Sequence, residues 1–283
     1  MNILILGATG LIGSTVYAHL SHKHNVFGTY HDKIKCKKIR YKKNKLFYFD
    51  VLNKKKLIIL INKTNPKIIV NCIGITKHLK GFSKKKILDI NSLFPHYAKQ
   101  ISNYRSAKFV QISTDCVFNG KRGNYDEHSK PNAHDLYGKS KAAGEINDKI
   151  NLTIRTSTIG HELLTNHGLL EWFLNQNFIC DGYSKAIFNG FPTTHFAKIL
   201  EKIIFKKITG ILHVSGIKID KYTLLKKIKK IYNKDIVIKK NTTIKIDRSL
   251  NNKLLRSYFP QKKTWENLIK DMKNEYTKNP LNN

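Results

Sequence analysis

The chain has 283 residues, 41% of them hydrophobic, which suits a globular protein with a sizeable core and excludes a disordered one. No apolar run reaches the roughly 18 uninterrupted residues of a membrane helix. Cys36, Cys72, Cys116 and Cys180 are too scattered for a zinc pair or a disulfide framework, so neither metal nor membrane is expected. The formal net charge of +33 comes mainly from lysine, clustered at Lys35 to Lys45, Lys54 to Lys56, Lys84 to Lys86 and Lys226 to Lys230. Such a charge attracts anions. No recognition helix or RNA-binding motif accompanies it, so a solvated Lys-rich surface is the better reading, and no specific nucleic-acid partner is expected.

In chain order, Asn2 to Leu6 reads as a strand and Leu11 to Leu20 as a helix. The apolar start is not read as a signal peptide: it lacks a basic beginning, and Gly7, Gly10 and Gly13 interrupt it. A cytoplasmic location is therefore expected. Asn25 to Tyr30, Leu46 to Phe49, Lys67 to Cys72, Lys108 to Ser113 and Leu152 to Arg155 read as further strands. Helical stretches are expected at Lys54 to Asn62, at Lys84 to Ser102 and from Tyr137 onward. Strands alternating with helices imply an α/β fold with a doubly wound parallel sheet of the Rossmann kind. Beyond Arg155 come helices at Gly168 to Asn175, Thr193 to Phe205, Tyr222 to Tyr232 and Lys262 to Tyr276, with a strand at Ile211 to Val214. The expected division is a dinucleotide-binding domain over 1–157 and a smaller α/β substrate-binding lobe over 158–283. Some of its segments are allowed to return to the first sheet.

Gly7-Ala8-Thr9-Gly10-Leu11-Ile12-Gly13 follows a strand and opens a helix, the context a phosphate-binding turn requires. Gly7 permits the tight turn, Gly10 lets the backbone approach a pyrophosphate and Gly13 allows close packing; Thr9, Leu11 and Ile12 complete the loop. The tip of the second strand offers Tyr30, His31 and Lys33 and no early acid. That favours NADPH over NADH, which stays allowed. Asp50 with Val51 is a candidate for the adenine, or Asp50 caps a helix. Cys72, Ile73 and Gly74 should line the cofactor crevice, with Thr76 beyond them toward substrate. Asn91 either supports a lysine by a relay or caps a turn.

Tyr137-Gly138-Lys139-Ser140-Lys141 places a phenol and an amine four residues apart, on one face of a helix. An ammonium beside a phenol favours the phenolate and lowers a pKa that starts near about 10. Thr114 ends the fifth strand, where its hydroxyl can hydrogen-bond a reacting carbonyl, and Ser113 before it is a candidate for binding the cofactor.

Together, Gly7 to Gly13, Ser113-Thr114-Asp115-Cys116-Val117-Phe118-Asn119-Gly120, Tyr137 to Glu145 and Ile154-Arg155-Thr156-Ser157 resemble the extended short-chain dehydrogenase/reductases. The branch they resemble is that of dTDP-4-dehydrorhamnose reductases. The resemblance extends to Gly190-Phe191-Pro192-Thr193-Thr194 and Gly210-Ile211-Leu212-His213-Val214 and, less closely, to Arg248-Ser249-Leu250-Asn251. It implies a catalytic set of Thr114, Tyr137 and Lys141 that reduces a ketone on a nucleotide sugar with NADPH. Tyr137 and Lys141 would also touch the cofactor, and Thr114 and Arg248 the substrate. Where the family commonly has Tyr and Trp, this chain has Cys116 and Thr158. Those positions are expected near the sugar, so a wider pocket is implied, which Trp172 either refills or leaves by serving as core. The segment with His161 and Glu171 should help to build that pocket. The expected partner is the nucleotide sugar, and a homodimer is allowed.

Two other readings compete. An epimerase or dehydratase of the same fold is one, but Cys116 stands where a dehydratase carries a glutamate after Asp115. A non-catalytic dinucleotide-binding regulatory subunit is the other, and the intact Thr114, Tyr137 and Lys141 argue against it.

Overall fold

The computed structural model describes residues 1–39, 45–77, 79, 81–260 and 263–278. The basic cluster from Lys35 to Lys45 and the start of the last expected helix lie partly outside them. The strands are β1 (Asn2–Leu6), β2 (Asn25–Tyr30), β3 (Leu46–Tyr48), β4 (Ile68–Asn71), β5 (Lys108–Thr114), β6 (Leu152–Thr156), β7 (Thr158–Ile159), β8 (Ile179–Tyr183), β9 (Ala186–Phe188), β10 (Phe191–Pro192), β11 (Gly210–Val214), β12 (Ile219–Asp220), β13 (Val237–Asn241) and β14 (Ile246–Asp247). The helices are α1 (Leu11–Ser21), α2 (Lys33–Lys38), α3 (Lys54–Thr64), α4 (Lys84–Leu88), α5 (Phe94–Tyr104), α6 (Leu136–Ala143), α7 (Leu169–Leu174), α8 (Thr193–Ile204), α9 (Lys221–Tyr232), α10 (Lys253–Tyr258) and α11 (Trp265–Lys278).

A seven-stranded sheet has the order β11-β6-β5-β4-β1-β2-β3. Every pairing in it is parallel. The order reverses between β1 and β4, so a crevice opens there at the C-terminal ends of the strands. This is the doubly wound α/β fold expected from the sequence. The period-two alternation of β1 divides the core. Ile3 and Ile5 pack with α1 and α8 on one face, and Leu4 and Leu6 with α3 and α5 on the other.

The seventh strand, β11, comes from beyond residue 157 and pairs with β6. Helix α8, also from beyond residue 157, lies in the same apolar cluster as α1. The remaining strands are short: β8 pairs with β13, β9 with β12 and β14, and β7 with β10. None of these short pairs carries a long hydrophobic run.

The expected continuous helix from Lys84 to Ser102 is interrupted by a π-helical turn at Asp89–Leu93. Pro95 explains the break. It has no N–H to give the Asn91 carbonyl four residues back, and the Phe94 N–H reaches the Asp89 carbonyl instead.

Candidate active site

The glycine turn is built for close approach of a phosphate. Gly7 has φ +84°, and a Cβ on Gly13 would stand 2.0 Å from the Gly7 carbonyl oxygen. Only glycine fits both positions. The Gly7 N–H donates to the Thr29 hydroxyl at 2.9 Å, and Ser14 N–H to the Gly10 carbonyl at 2.9 Å. Helix α1 therefore begins at Leu11 and Ile12, with its N-terminus at the mouth of the crevice. Thr9 is buried in the turn. A pyrophosphate fits such a cradle.

At the tip of β2, Asp32 caps α2 by accepting from Ile34 N–H at 2.8 Å and Lys35 N–H at 3.1 Å. Both bonds end on Oδ1 of that carboxylate. His31 stacks on Tyr48, centroids 5.8 Å apart, and Tyr30 meets Tyr48 edge-on at 5.9 Å. Lys33 opens α2 and is exposed. Asp50 accepts from Leu52 N–H at 3.0 Å, next to Val51. It shapes a turn, and Asn53 is the residue that caps α3.

Across the crevice, Cys72 closes β4 by donating its N–H to the Leu6 carbonyl, and its buried thiol is pushed up to about 12. Ile73 packs against Gly7 and Gly74 lies beside the Lys141 ammonium, as the contacts a Cβ would make there show. Thr76 is exposed further along, its carbonyl accepting from Leu79 N–H. Asn91 holds this loop. It accepts from Ile75 N–H at 2.8 Å and donates to the Ile75 carbonyl at 2.9 Å and the Ser140 hydroxyl at 3.0 Å. Asn91 thereby pins the crevice loop to α6, beside Gly74 and the Lys141 ammonium.

Helix α6 is capped by Asp135, which accepts from Gly138 N–H at 2.7 Å. A Cβ on Gly138 would stand 2.3 Å from the Cys116 carbonyl oxygen. That glycine brings the helix against the Thr114–Cys116 turn. It sets the Tyr137 phenol near the Thr114 hydroxyl. The Thr114 hydroxyl accepts from Cys116 N–H at 3.1 Å and donates to Asp115 Oδ1 at 3.2 Å.

Burial, and then Cys116 beside it, raise the Tyr137 phenol above the usual tyrosine range, opposed by the Thr114 hydroxyl. The lowered phenol pKa expected from a neighbouring ammonium is not what this geometry gives. Lys141 is buried and donates to the Ile112 carbonyl at 2.8 Å. Desolvation pushes it down to about 8, with Glu145 and Cys72 acting in the opposite sense. A neutral phenol is nonetheless the form a proton donor needs.

Behind this pair sits a buried ionic network that motif reading did not single out. Arg155 donates to Glu145 through Nε at 2.9 Å and Nη2 at 2.8 Å. The Ser113 hydroxyl donates to Glu145 at 2.7 Å, so its side chain is engaged with this network. Arg248 donates through Nε to the Phe118 carbonyl at 2.8 Å, next to the Asp115–Cys116 segment. Burial pushes the Cys116 thiol up to about 12, aided by Asp115 and opposed by Arg248 and Lys77.

The segment after β6 makes contacts of another kind. His161 Nδ1 pairs with Glu171 at 2.5 Å and its Nε2 with the Tyr232 hydroxyl at 2.9 Å, while its ring stacks on Tyr276. These contacts tie α7 to α9 and α11. Trp172 packs against the main core, and Thr158 lies in β7, paired with Phe191. Among the described residues no group of three or more His, Cys, Asp or Glu is placed to hold a metal ion. No described helix is long and apolar enough to cross a membrane.

A parallel doubly wound sheet, a glycine turn at the head of α1 and a Thr-Tyr-Lys constellation at the crevice define a Rossmann-fold protein of the extended short-chain dehydrogenase/reductase kind. Residues 1–172 match the family described as RmlD substrate binding domain, and the chain belongs to that family. Among solved structures it is similar to a hypothetical dTDP-4-dehydrorhamnose reductase from Sulfolobus tokodaii (TM-score 0.77, 26% identity, 91% of this chain and 94% of that one). It shares its fold with dTDP-4-dehydrorhamnose reductase from Bacillus anthracis, solved in complex with NADP (TM-score 0.81, 22% identity, 97% and 99%). Among curated relatives, a probable low-salt glycan biosynthesis reductase of Haloferax volcanii is 28% identical over 151 residues, 51% of this chain and 48% of that protein. Methionine adenosyltransferase 2 subunit beta of Danio rerio is 28% identical over 152 residues, 50% and 42%. The chain spans about half the length of the curated relatives it matches.

Proposed function

We propose that the protein is an NADPH-dependent reductase of a nucleotide-linked 4-keto-6-deoxy sugar, working in the cytoplasm on precursors of surface polysaccharide. The observation that carries this reading is the buried Lys141, tied by its ammonium to β5 at the strand that ends in Thr114, with Tyr137 one helical turn before it, all at the crevice. Family membership and the reductases among its relatives support it.

A nicotinamide dinucleotide, when bound, supplies the hydride. Gly7, Gly10 and Gly13 with the N-terminus of α1 would hold its pyrophosphate. His31 and Lys33 would meet a 2′-phosphate at the tip of β2, where Asp32 turns its Oδ1 into the helix cap. Lys141 would bind the nicotinamide ribose from its seat beside Gly74. Thr114 orients the substrate carbonyl oxygen, and Tyr137 delivers its proton to that oxygen as the alkoxide forms. Burial keeps the phenol protonated until that moment. Cys116 and Thr158, smaller than the rings common at these positions, would leave the sugar a wider pocket, with Arg248 at the substrate.

A second reading is a dinucleotide-binding subunit of another enzyme, which the similarity to methionine adenosyltransferase 2 subunit beta favours. One experiment separates the two. The full chain is offered NADPH and a panel of dTDP- and UDP-linked 4-keto-6-deoxy sugars, and products are identified by mass spectrometry. Stoichiometric NADPH consumption with one reduced sugar supports the enzyme. NADPH binding without turnover on any member supports the subunit.

A further inference from the structure

The segment that joins Thr114 to α6, residues 115–135, carries Lys121, Arg122 and Lys130 as its lysines and arginine. All of them line one open cavity of about 210 Å³, together with Asn119 and Asn132, and with Tyr125 and Ser129 in its wall. At about 30 Å³ per water in the liquid, it has room for an anion of several heavy atoms. No residue assigned above to cofactor or substrate lines it.

The carboxylates of the same segment are turned to other donors. Asp115 accepts from the Thr114 hydroxyl, Asp126 from the Ser129 hydroxyl at 2.7 Å, Glu127 from His213 N–H at 3.0 Å and Asp135 from Gly138 N–H. None of them lines the cavity. No ion pair among the described residues includes Lys121, Arg122 or Lys130.

The amides of the wall are set as donors too. Asn119 Oδ1 accepts from the Tyr125 hydroxyl and Lys121 N–H, both at 3.0 Å, and Asn132 Oδ1 accepts from Asn119 N–H at 2.8 Å. Each keeps its NH₂ as the remaining polar group. The arginine is held in place. Its guanidinium lies over the Tyr125 ring at 4.9 Å and donates through Nη2 to the Ser129 hydroxyl at 2.9 Å. Tyr125 stacks in turn on Phe118, centroids 4.0 Å apart. A general excess of solvated lysine explains neither a fixed guanidinium nor a wall whose amides present only donors. Like charges gathered at one cavity repel, and an anion between them offsets that cost.

We propose that Asn119, Lys121, Arg122, Lys130 and Asn132 form a binding site for a phosphate group, separate from the crevice. A phosphoryl group carries about −1.5 to −2 charges at neutral pH and offers acceptor oxygens, which matches a wall of cations and donors. The planar fork of an arginine suits two of those oxygens at once. Inorganic phosphate and a phosphate monoester share this chemistry. The site is independent of the reductase reading.

The test is a binding measurement. The full chain, with NADP⁺ in excess to fill the glycine turn, is titrated by calorimetry at physiological salt with inorganic phosphate and with glycerol 3-phosphate. Wild type is compared with Arg122→Gln, Lys130→Gln and, as a control on the exposed face of α3, Lys55→Gln. Loss of one charge-assisted contact should weaken the anion by about tenfold or more. The proposal predicts that loss in Arg122→Gln or Lys130→Gln, with less than a twofold change in Lys55→Gln. Tighter binding of glycerol 3-phosphate than of phosphate then assigns the site to a monoester, and the reverse order or equality assigns it to the free ion. A wild type that binds neither, a smaller loss in both site variants, or an equal loss in Lys55→Gln overturns the proposal. The exposed Lys130→Gln keeps the test open should Arg122→Gln, which also loses its contacts with Tyr125 and Ser129, fail to fold. No turnover is read, so phosphate binding in a protein that reduces no ketone would refute the reductase and leave the site standing.

Discussion

The Lys141 ammonium donates to the Ile112 carbonyl, 2.8 Å away on β5, and so is tied to the strand that ends in Thr114. The helix carrying Tyr137 is thereby fixed to the strand that ends in Thr114. Lys141→Ala should lower turnover and cofactor affinity together. Lys141→Met, which keeps most of the packing, should separate charge from volume. Affinity for NADPH unchanged in both variants would contradict the role given to the ammonium.

Asn91 bridges the crevice loop and α6 through three hydrogen bonds in a buried setting. Asn91→Ala leaves the Ile75 N–H and C=O without their recorded partner. A cost of about 1–3 kcal/mol is expected for a buried donor left unsatisfied. Urea denaturation measures it, and a loss under about 0.5 kcal/mol would show that Asn91 does not hold the loop.

The Glu145–Arg155 pair is buried and doubly hydrogen-bonded. Removing one partner strands a charge, so Glu145→Ala should cost about 3–5 kcal/mol. Urea midpoints for Glu145→Ala and the double variant with Arg155→Met give the comparison. The double variant should recover part of the loss, since it leaves no unpaired ion.

His213 supplies a pH dependence. Burial, and then Arg155 beside it, push the imidazole down to about 3. The folded histidine is thus neutral where the unfolded one, near about 6.5, takes a proton. Between those values the unfolded chain binds more protons, so stability falls as pH drops through that window. Melting temperatures from pH 7 to pH 5 should fall more steeply for wild type than for His213→Gln. Parallel curves would show that His213 is not the source.

At the tip of β2, Asp32 comes late and turns its Oδ1 into the cap of α2, while His31 and Lys33 flank it. The KM for NADPH should be lower than that for NADH. Replacing His31 and Lys33 by Ala should raise the first more than the second. A wild type that uses NADH as well as NADPH would sink this assignment.

The seven strands of the main sheet and the glycine turn were legible because each rests on local pattern: a short β-branched run, then glycines at a helix start. Tyr137, Lys141 and Thr114 were legible by order and spacing. What pattern did not show depends on distant contacts. The π-helical turn at Asp89–Leu93 follows from one missing N–H at Pro95, which reads equally as an ordinary helix start. The short strands of the C-terminal half have two to five residues and little alternation, so pairing defines them. The raised Tyr137 phenol is a matter of burial, which spacing cannot report. His161, expected at the sugar, takes its contacts from α7, α9 and α11.

The most direct test of the central claim is turnover of NADPH with a 4-keto-6-deoxy nucleotide sugar by wild type and Tyr137→Phe, with NADPH binding measured in both. The proton-donor role predicts a drop of about 10²–10⁴-fold in the variant, the range of general acid catalysis, with binding preserved. Wild-type turnover in Tyr137→Phe, or NADPH binding by the wild type with no turnover on any such sugar, would contradict it.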